Sequence, residues 1–471
     1  MQQHAISISN DLIQRYDTAA PRYTSYPTAP QFHSGFGEAD YREHAERANN
    51  SLLPRDLSLY VHIPFCHSLC YFCGCNKVVT QTTNNKVNEY LDRLLREIRR
   101  RGQLFGADRL VTQIHFGGGT PNFLSAEQIH TILDEIAQQF HLDLPHKLEI
   151  GIELDPRSIT PEGVHELNQQ GFNRFSIGVQ DFSSPVQEAV NRVQNEADTI
   201  AVIEAALKYG KSVNVDLITG LPRQTVDSFK DTLDKIIATG ATRIAAYNFA
   251  YLPARIKAQR MIKPAELPNT ATRLALVALA RDKLLAADYV HIGMDHYALA
   301  SDSLAEAYRN GSLQRNFQGY TTHRETDLIG VGASAISNFA TAYAQNEPTL
   351  SKYIEMIDAD QLPIVKGLAL NEDDRIRHEV IQQLMCRHQI DLNTPVGRLA
   401  DSDKRTSVAD YFAPELSRLA QLAGDGLIEL DQDRLIITET GRFFMRPIAS
   451  VFDRYLPQPQ SGQVLPFSRT I

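Results

Sequence analysis

No stretch of the chain approaches the run of ~18 apolar residues that a membrane-spanning helix needs, so no membrane span is expected. The N-terminal MQQHAISISNDLIQRYDTAA has no basic start leading into an apolar stretch. It reads as no secretory signal, and the expected location is the cytoplasm. Positive charge is in deficit, with 47 Lys and Arg against 56 Asp and Glu and a net charge of −9. That argues against nucleic acid or a membrane surface as partner. An anionic small molecule stays open, because a few placed Arg or Lys side chains bind carboxylates locally. No internal repeat, low-complexity segment or exposed apolar stripe is evident, and a monomer is expected. Cysteine is scarce, at five in 471 residues. Cys66, Cys70, Cys73 and Cys75 fall within ten residues, and Cys386 stands apart in the helical pattern EVIQQLMCRHQ. A disulfide framework would spread its cysteines, whereas a cytosolic cluster points to metal. Cys386 reads as a small core residue.

From residue 57 strand-like runs alternate with helix-like ones. LSLYVHI, VTQIHF, LEIGIELDP, RFSIGVQDF, SVNVDLITGLP and TRIAAYNFAYLP read as strands. VNEYLDRLLREIRRRG, SAEQIHTILDEIAQQF, TPEGVHELNQQG, DTIAVIEAALKYG and TVDSFKDTLDKIIATG read as the helices between them. Ser125 opens the second helix with a capping box, and Pro161 and Gly171 bracket the third. Six such units imply a parallel sheet with right-handed crossovers, with strands apolar on both faces, curled into a full or partial barrel. The expected fold class is α/β, a partial (β/α)6 barrel with an N-terminal arm and a mainly helical C-terminal domain containing a β-hairpin. The expected domains are an arm over 1–55, the barrel over 56–260, a loop-rich extension over 261–365 and a winged-helix-like domain over 366–471. In the last, GLIELDQDRLIITETG reads as a hairpin turning at Asp431–Asp433.

Sites in such folds sit at the C-terminal ends of the strands. There the chain places Cys66, Gly117–Thr120, Glu153, Gln180 and Asp216. HIPFCHSLCYFCGCNK has the spacing C-x3-C-x2-C-x-C. Soft thiolates select iron–sulfur clusters, zinc or Cu(I). Structural zinc favours separated C-x2-C knuckles, which are missing here. Three cysteines on a four-iron cube leave one iron open to substrate. Tyr71 and Phe72, between ligands, can screen the cluster and stack on an adenine. HFGGGTPNF is not a dinucleotide fingerprint, since Pro121 interrupts it. Glu153 is a carboxylate late in an apolar strand, costly to bury alone; it is either salt-bridged or a hydrogen-bonding group for ribose hydroxyls. Arg192, in AVNRVQ, is either a solvated arginine or a bidentate carboxylate partner.

C-x3-C-x2-C after the first strand of a β/α barrel resembles the signature of the radical S-adenosylmethionine superfamily. PRYTSYPTAPQF, HFGGGTP, IELDP, SIGVQDF, VNR, DLITGLP, NFAYLP, IGMDHYA, RNFQGYTT and GVGASAIS follow the same order as in one branch, the oxygen-independent coproporphyrinogen III oxidases. The PRYTSYPT arm and Cys75 are the discriminating features. The resemblance implies an oxidoreductase of porphyrin and haem biosynthesis. It would convert coproporphyrinogen III to protoporphyrinogen IX by removing CO2 from two propionates and leaving vinyl groups. A 5′-deoxyadenosyl radical from S-adenosylmethionine would abstract the hydrogen, with an external electron donor and acceptor. It implies a [4Fe–4S] cluster on Cys66, Cys70 and Cys73, with Cys75 an accessory group outside the ligand set. It implies two S-adenosylmethionine molecules. Tyr60, Gly118, Glu153 and Ile336 match contacts to the first; Phe72, Gly119, Thr120, Gln180, Arg192, Asp216 and Ala250 match contacts to the second. Arg22 in the arm is a candidate partner for substrate carboxylates on charge alone. The rival readings are a haem-trafficking chaperone of the related family, another radical enzyme such as a methyltransferase, and a zinc-binding interaction module.

Overall fold

The computed structural model describes residues 9–105, 108–323, 326–396, 406–456 and 467–470. Six strands form where the sequence predicts them. They are β1 (Leu57–Ile63), β2 (Leu110–Gly118), β3 (Glu149–Leu154), β4 (Arg174–Gln180), β5 (Ser212–Thr219) and β6 (Arg243–Asn248). Each pairs in parallel with the next. Helices Asn85–Gly102, Ala126–Gln139, Pro161–Gln169, Glu196–Tyr209 and Val226–Thr239 make the crossovers. Ser125 caps the second helix, and its capping box closes on Gln128.

Two features depart from the sequence reading. A seventh parallel strand, β7 (Asp327–Val331), lies on the other side of β1, with Tyr60 opposite Gly330. It comes from the region read as loop-rich. The same region adds antiparallel strands at both edges. The hairpin of Tyr289–Gly293 and His296–Leu299 extends the sheet past β6, and Ile336–Phe339, Ala342–Asn346 and Ile364–Ala369 extend it past β7.

The strands are also not apolar on both faces. Leu57, Leu59, Val61 and Ile63 of β1, with Ile114, Phe116, Ile152, Phe175, Ile177, Val213 and Val215, are buried in one cluster with the helices. Each such burial contributes roughly 1.5–3 kcal/mol. The alternate positions are polar. Gln113 of β2 donates to Glu149 of β3 at 2.7 Å, and Arg174 of β4 donates to the same carboxylate at 2.9 Å. On β5, Asn214 donates to Asp216 at 2.8 Å. Side-chain alternation on a strand puts these groups on the face away from the helices. The barrel interior is therefore a hydrogen-bonded polar lining rather than a packed apolar core.

The C-terminal region forms a second core around helix Glu372–Arg387, in which Cys386 is buried. Its hairpin, Ile428–Leu430 with Arg434–Ile437, turns where expected. The arm joins this core through Ile13, Tyr23 and Tyr26. It also touches the barrel mouth, where the Arg22 guanidinium lies 5.5 Å from the Tyr247 ring centroid. No helix among the described residues is long and apolar enough to cross a membrane.

Candidate active site at the barrel mouth

The loop after β1 carries the cysteines and folds back onto the neighbouring strand ends. Val78 pairs with Phe65, and Gly119 donates its N–H to the Ile63 carbonyl at 2.8 Å. The glycines are needed for this approach. A Cβ on Gly119 would sit 2.8 Å from the Pro64 carbonyl, and Gly118 holds φ +117° with the His62 ring where its Cβ would be. The GGGTP loop thus brings β2 against the cysteine loop, besides offering its backbone to a ligand.

Cys66, Cys70, Cys73 and Cys75 line one cavity of about 340 Å³ with Phe72, Gly118, Gly119, Thr120, Glu153, Gln180, Arg192 and Asp216. Most of the expected site therefore converges. Tyr60 and Ile336 flank it: Tyr60 sits in register with Gly330, where a Cβ would meet the Ile336 carbonyl at 2.6 Å. Ala250 lies outside, lining an adjacent cleft with Phe249 and Tyr251.

The thiols have distinct neighbours. The Thr120 hydroxyl donates to Cys66 Sγ at 3.4 Å. Arg157 Nη2 and Arg192 Nη1 each donate to Cys70 Sγ at 3.6 Å. A hydrogen bond from Cys75, which is itself exposed, holds the Cys73 thiol down to about 6. Among the described residues no three His, Cys, Asp or Glu side chains converge on a point as a single-ion cage would require. Three sulfurs spread round a cavity, with N–H and O–H groups aimed at them, fit a cluster better than zinc.

The carboxylates divide in role. Glu153 keeps nearly half its side chain exposed, accepts from Gly118 N at 3.3 Å and has His115, at 3.4 Å, as its ion-pair partner among the described residues. It is not locked in an Arg or Lys salt bridge. Asp216 accepts from Ser176 at 2.9 Å and from Asn214, and burial pushes its carboxyl up to about 6. Burial would raise Asp155 too, but hydrogen bonds from Arg157 and the charge of Arg192 outweigh it and hold it at about 2. Arg192 is buried, donating to Asp155 at 3.2 Å and to the Gly178 carbonyl at 2.5 Å, so it is no solvated arginine. Gln180 sits at φ +68° on a bulge of β4, a backbone strain of the kind found at functional sites. Two buried atoms of this wall, Gln180 Oε1 and Arg192 Nε, have no protein hydrogen-bond partner. The protein leaves their hydrogen-bonding capacity unused.

Sequence reasoning missed three contributors. Asp155 and Arg157 follow Glu153 directly, and IELDPRS could have drawn attention to them. Gln259 had no such signal. Buried in the short 3-10 helix Lys257–Met261, it donates to the Phe72 carbonyl at 3.0 Å and the Ala250 carbonyl at 2.9 Å, tying the cysteine loop to the cleft wall. The third is a buried clamp behind the Tyr60–Ile336 flank. Glu97 and Arg101 are fully buried and paired at 2.8 Å. Glu97 also accepts from Gly332 N at 2.8 Å, Tyr353 at 2.7 Å and Asn346 at 2.9 Å, fixing the turn that leads into Ile336. Arg22, the expected carboxylate partner, is instead ion-paired with Asp295.

Comparison with known proteins agrees with this geometry. The Radical SAM superfamily model matches residues 60–236, and the HemN C-terminal domain model matches residues 370–444. Relatives named oxygen-independent coproporphyrinogen III oxidase, from Pseudomonas aeruginosa and Escherichia coli, are 45% and 44% identical to this chain, each match covering 98% of both sequences. A solved Escherichia coli structure, described as a coproporphyrinogen III oxidase that is a radical SAM enzyme, has a TM-score of 0.88 and 43% identity, covering 96% of this chain and 100% of that one. The chain belongs to the oxygen-independent coproporphyrinogen III oxidase family of radical S-adenosylmethionine enzymes.

Proposed function

We propose that the protein converts coproporphyrinogen III to protoporphyrinogen IX without oxygen, removing CO2 from two ring propionates. The observation that carries this reading is the single cavity in which three cysteine sulfurs face Glu153, Gln180, Arg192 and Asp216. Cys66, Cys70 and Cys73 would hold a [4Fe–4S] cluster, leaving one iron for S-adenosylmethionine. Cluster and S-adenosylmethionine together supply one-electron chemistry that takes hydrogen from an unactivated C–H bond. The chain's own residues bind, orient and shield. Glu153, open to the cavity, accepts hydrogen bonds from ribose hydroxyls on the side flanked by Tyr60, Gly118 and Ile336. Asp216 and Gln180 do the same on the other side, with Gly119, Thr120 and Phe72. Arg192 pairs with an amino-acid carboxylate through its unpartnered Nε. The reading takes two molecules of S-adenosylmethionine, one for each propionate, with Ala250 at the outer edge of the second.

Arg157 and Arg192 place positive charge beside Cys70, which stabilises added negative charge at the cluster. Cys75, exposed at the mouth, stays outside the ligand set as an accessory group. The chain divides into an arm over residues 1–55, the barrel over 56–260, an extension over 261–365 and a C-terminal domain over 366–471; the described part of the arm packs on the C-terminal core and reaches the barrel mouth at Arg22. The enzyme acts as a monomer in the cytoplasm, with an external donor and acceptor of electrons.

The test is anaerobic incubation of reconstituted enzyme with coproporphyrinogen III, S-adenosylmethionine and a reductant. Protoporphyrinogen IX with CO2 is expected. A methylated tetrapyrrole, or tight stoichiometric haem binding without decarboxylation, would overturn the reading in favour of a methyltransferase or a haem chaperone.

A further inference from the structure

Beneath the radical cavity lies a second, smaller one of about 80 Å³. The two share Glu153, Ser176, Asp216 and Tyr247 as walls, so the small one is a well opening at the site. Its far side is made by His296, Gln318 and Tyr320, from the region the sequence left without a role. Two buried polar atoms there have no hydrogen-bond partner, His296 Nδ1 and Gln318 Nε2. The amide nitrogen can only donate. Tyr247 lies 3.4 Å from His296 Nε2. With its hydroxyl donating there, the ring proton sits on Nδ1, which is then also a donor without an acceptor.

Behind them stands Arg315, only 5% exposed. Its guanidinium lies 4.6 Å from the Tyr320 ring centroid, and that ring packs edge-on against His296 at 5.1 Å. Arg315 Nε donates to the Arg22 carbonyl at 3.3 Å, whereas Nη1 has no partner. The neighbouring arginines each hold a carboxylate: buried Arg243 with Asp302, and half-buried Arg174 with Glu149 and Arg22 with Asp295. Among the described residues no carboxylate lies within ion-pair distance of Arg315. A buried cation without an anion is costly. Such a cost is retained where a ligand brings the missing charge.

We infer that Gln318 and His296, which line the well, and Arg315, which adds an unpaired positive charge from behind the Tyr320 ring, make a carboxylate-binding well that anchors one propionate of the tetrapyrrole substrate. The inference rests on the function proposed above and names the group that holds the substrate. The anchored propionate is one that is not reacting. A guanidinium on the reacting carboxylate would stabilise the very charge that CO2 loss removes, and so would oppose the reaction. Gripping a neighbouring propionate instead fixes the macrocycle, and with it the reacting C–H bond, at the mouth shared with the radical cavity.

The experiment titrates holoenzyme with coproporphyrin III, the stable oxidised form bearing the same four carboxylates, and with its tetramethyl ester. Parent, Arg315→Met and Gln318→Leu proteins are compared, together with the thermal midpoint of each free protein. Arg315→Met should weaken coproporphyrin III binding by roughly 10- to 100-fold, the range expected of a charge attraction across about one ring's thickness in a partly desolvated site. It should leave ester binding unchanged and should not lower the thermal midpoint, because it removes an unpaired buried charge. Gln318→Leu should weaken the acid in the same sense. Unchanged affinity for the acid in both variants overturns the inference. So does a fall of several degrees with equal loss of acid and ester binding, which would make Arg315 structural. If the parent neither binds coproporphyrin III nor turns over coproporphyrinogen III, the proposed function itself fails, and the well with it.

Discussion

Replacing Glu97 by Ala would remove the acceptor of five hydrogen bonds in one fully buried place: two from Arg101, and one each from Asn346, Tyr353 and Gly332. Arg101 would stay behind with no exposure to water. Breaking a buried pair by removing one partner costs about 3–5 kcal/mol. Glu97→Ala should therefore lower unfolding stability by that amount, read as a shift in the urea midpoint of the protein. Arg101→Ala should cost a similar amount for the complementary reason. Because each single change strands the other charge, the double variant should lose less than the sum of the singles by about 2 kcal/mol or more. Glu97→Ala should also raise the KM for S-adenosylmethionine, since Gly332 leads into Ile336. Single losses under about 1 kcal/mol, or strict additivity, would refute the clamp.

Serine at Cys66, Cys70 or Cys73 should each abolish the cluster, read as iron content and visible absorption after anaerobic reconstitution. Cys75→Ser should keep the iron while losing turnover. Asp216→Asn tests burial of charge. The folded carboxyl ionises near 6 against an ordinary 3.8, so between those values the folded state binds more protons than the unfolded state. The penalty grows as pH rises through that window and is complete above it. Asp216→Asn should therefore unfold at a higher temperature than the parent at pH 7, with the gap closing by pH 4. Gln259→Leu, which unties Phe72 from Ala250, should lower turnover without removing iron.

Much of this site was legible because it is built from short motifs at strand ends. Cys66, Cys70, Cys73, Glu153 and Gln180 lie at a strand end or in the loop after it, Asp216 lies within β5, and the pattern that locates the strands locates them too; Arg192, beyond the short helix Ser184–Ala189, was legible only through its motif. β7 was not legible. Asp327–Val331 is a five-residue run bounded by glycine, and it becomes a strand only by pairing with β1 across more than half the chain. The polar barrel lining was misread for a related reason. LSLYVHI and RFSIGVQ look apolar as runs, and their alternation gains meaning only once helices cover one face. Arg22 was chosen for its charge, but Asp295, distant in sequence, neutralises it. Arg315 stands in a motif that had drawn notice, yet its significance is the lack of a buried partner, which only the assembled fold reveals.

The account centres on radical decarboxylation of a porphyrinogen, driven by one S-adenosylmethionine for each propionate. The most direct measurement counts products of a single anaerobic reaction with coproporphyrinogen III. The account predicts 5′-deoxyadenosine and CO2 in equal amounts, with two of each for every protoporphyrinogen IX formed. S-adenosylmethionine cleavage without CO2 release, or CO2 release independent of S-adenosylmethionine, would contradict it.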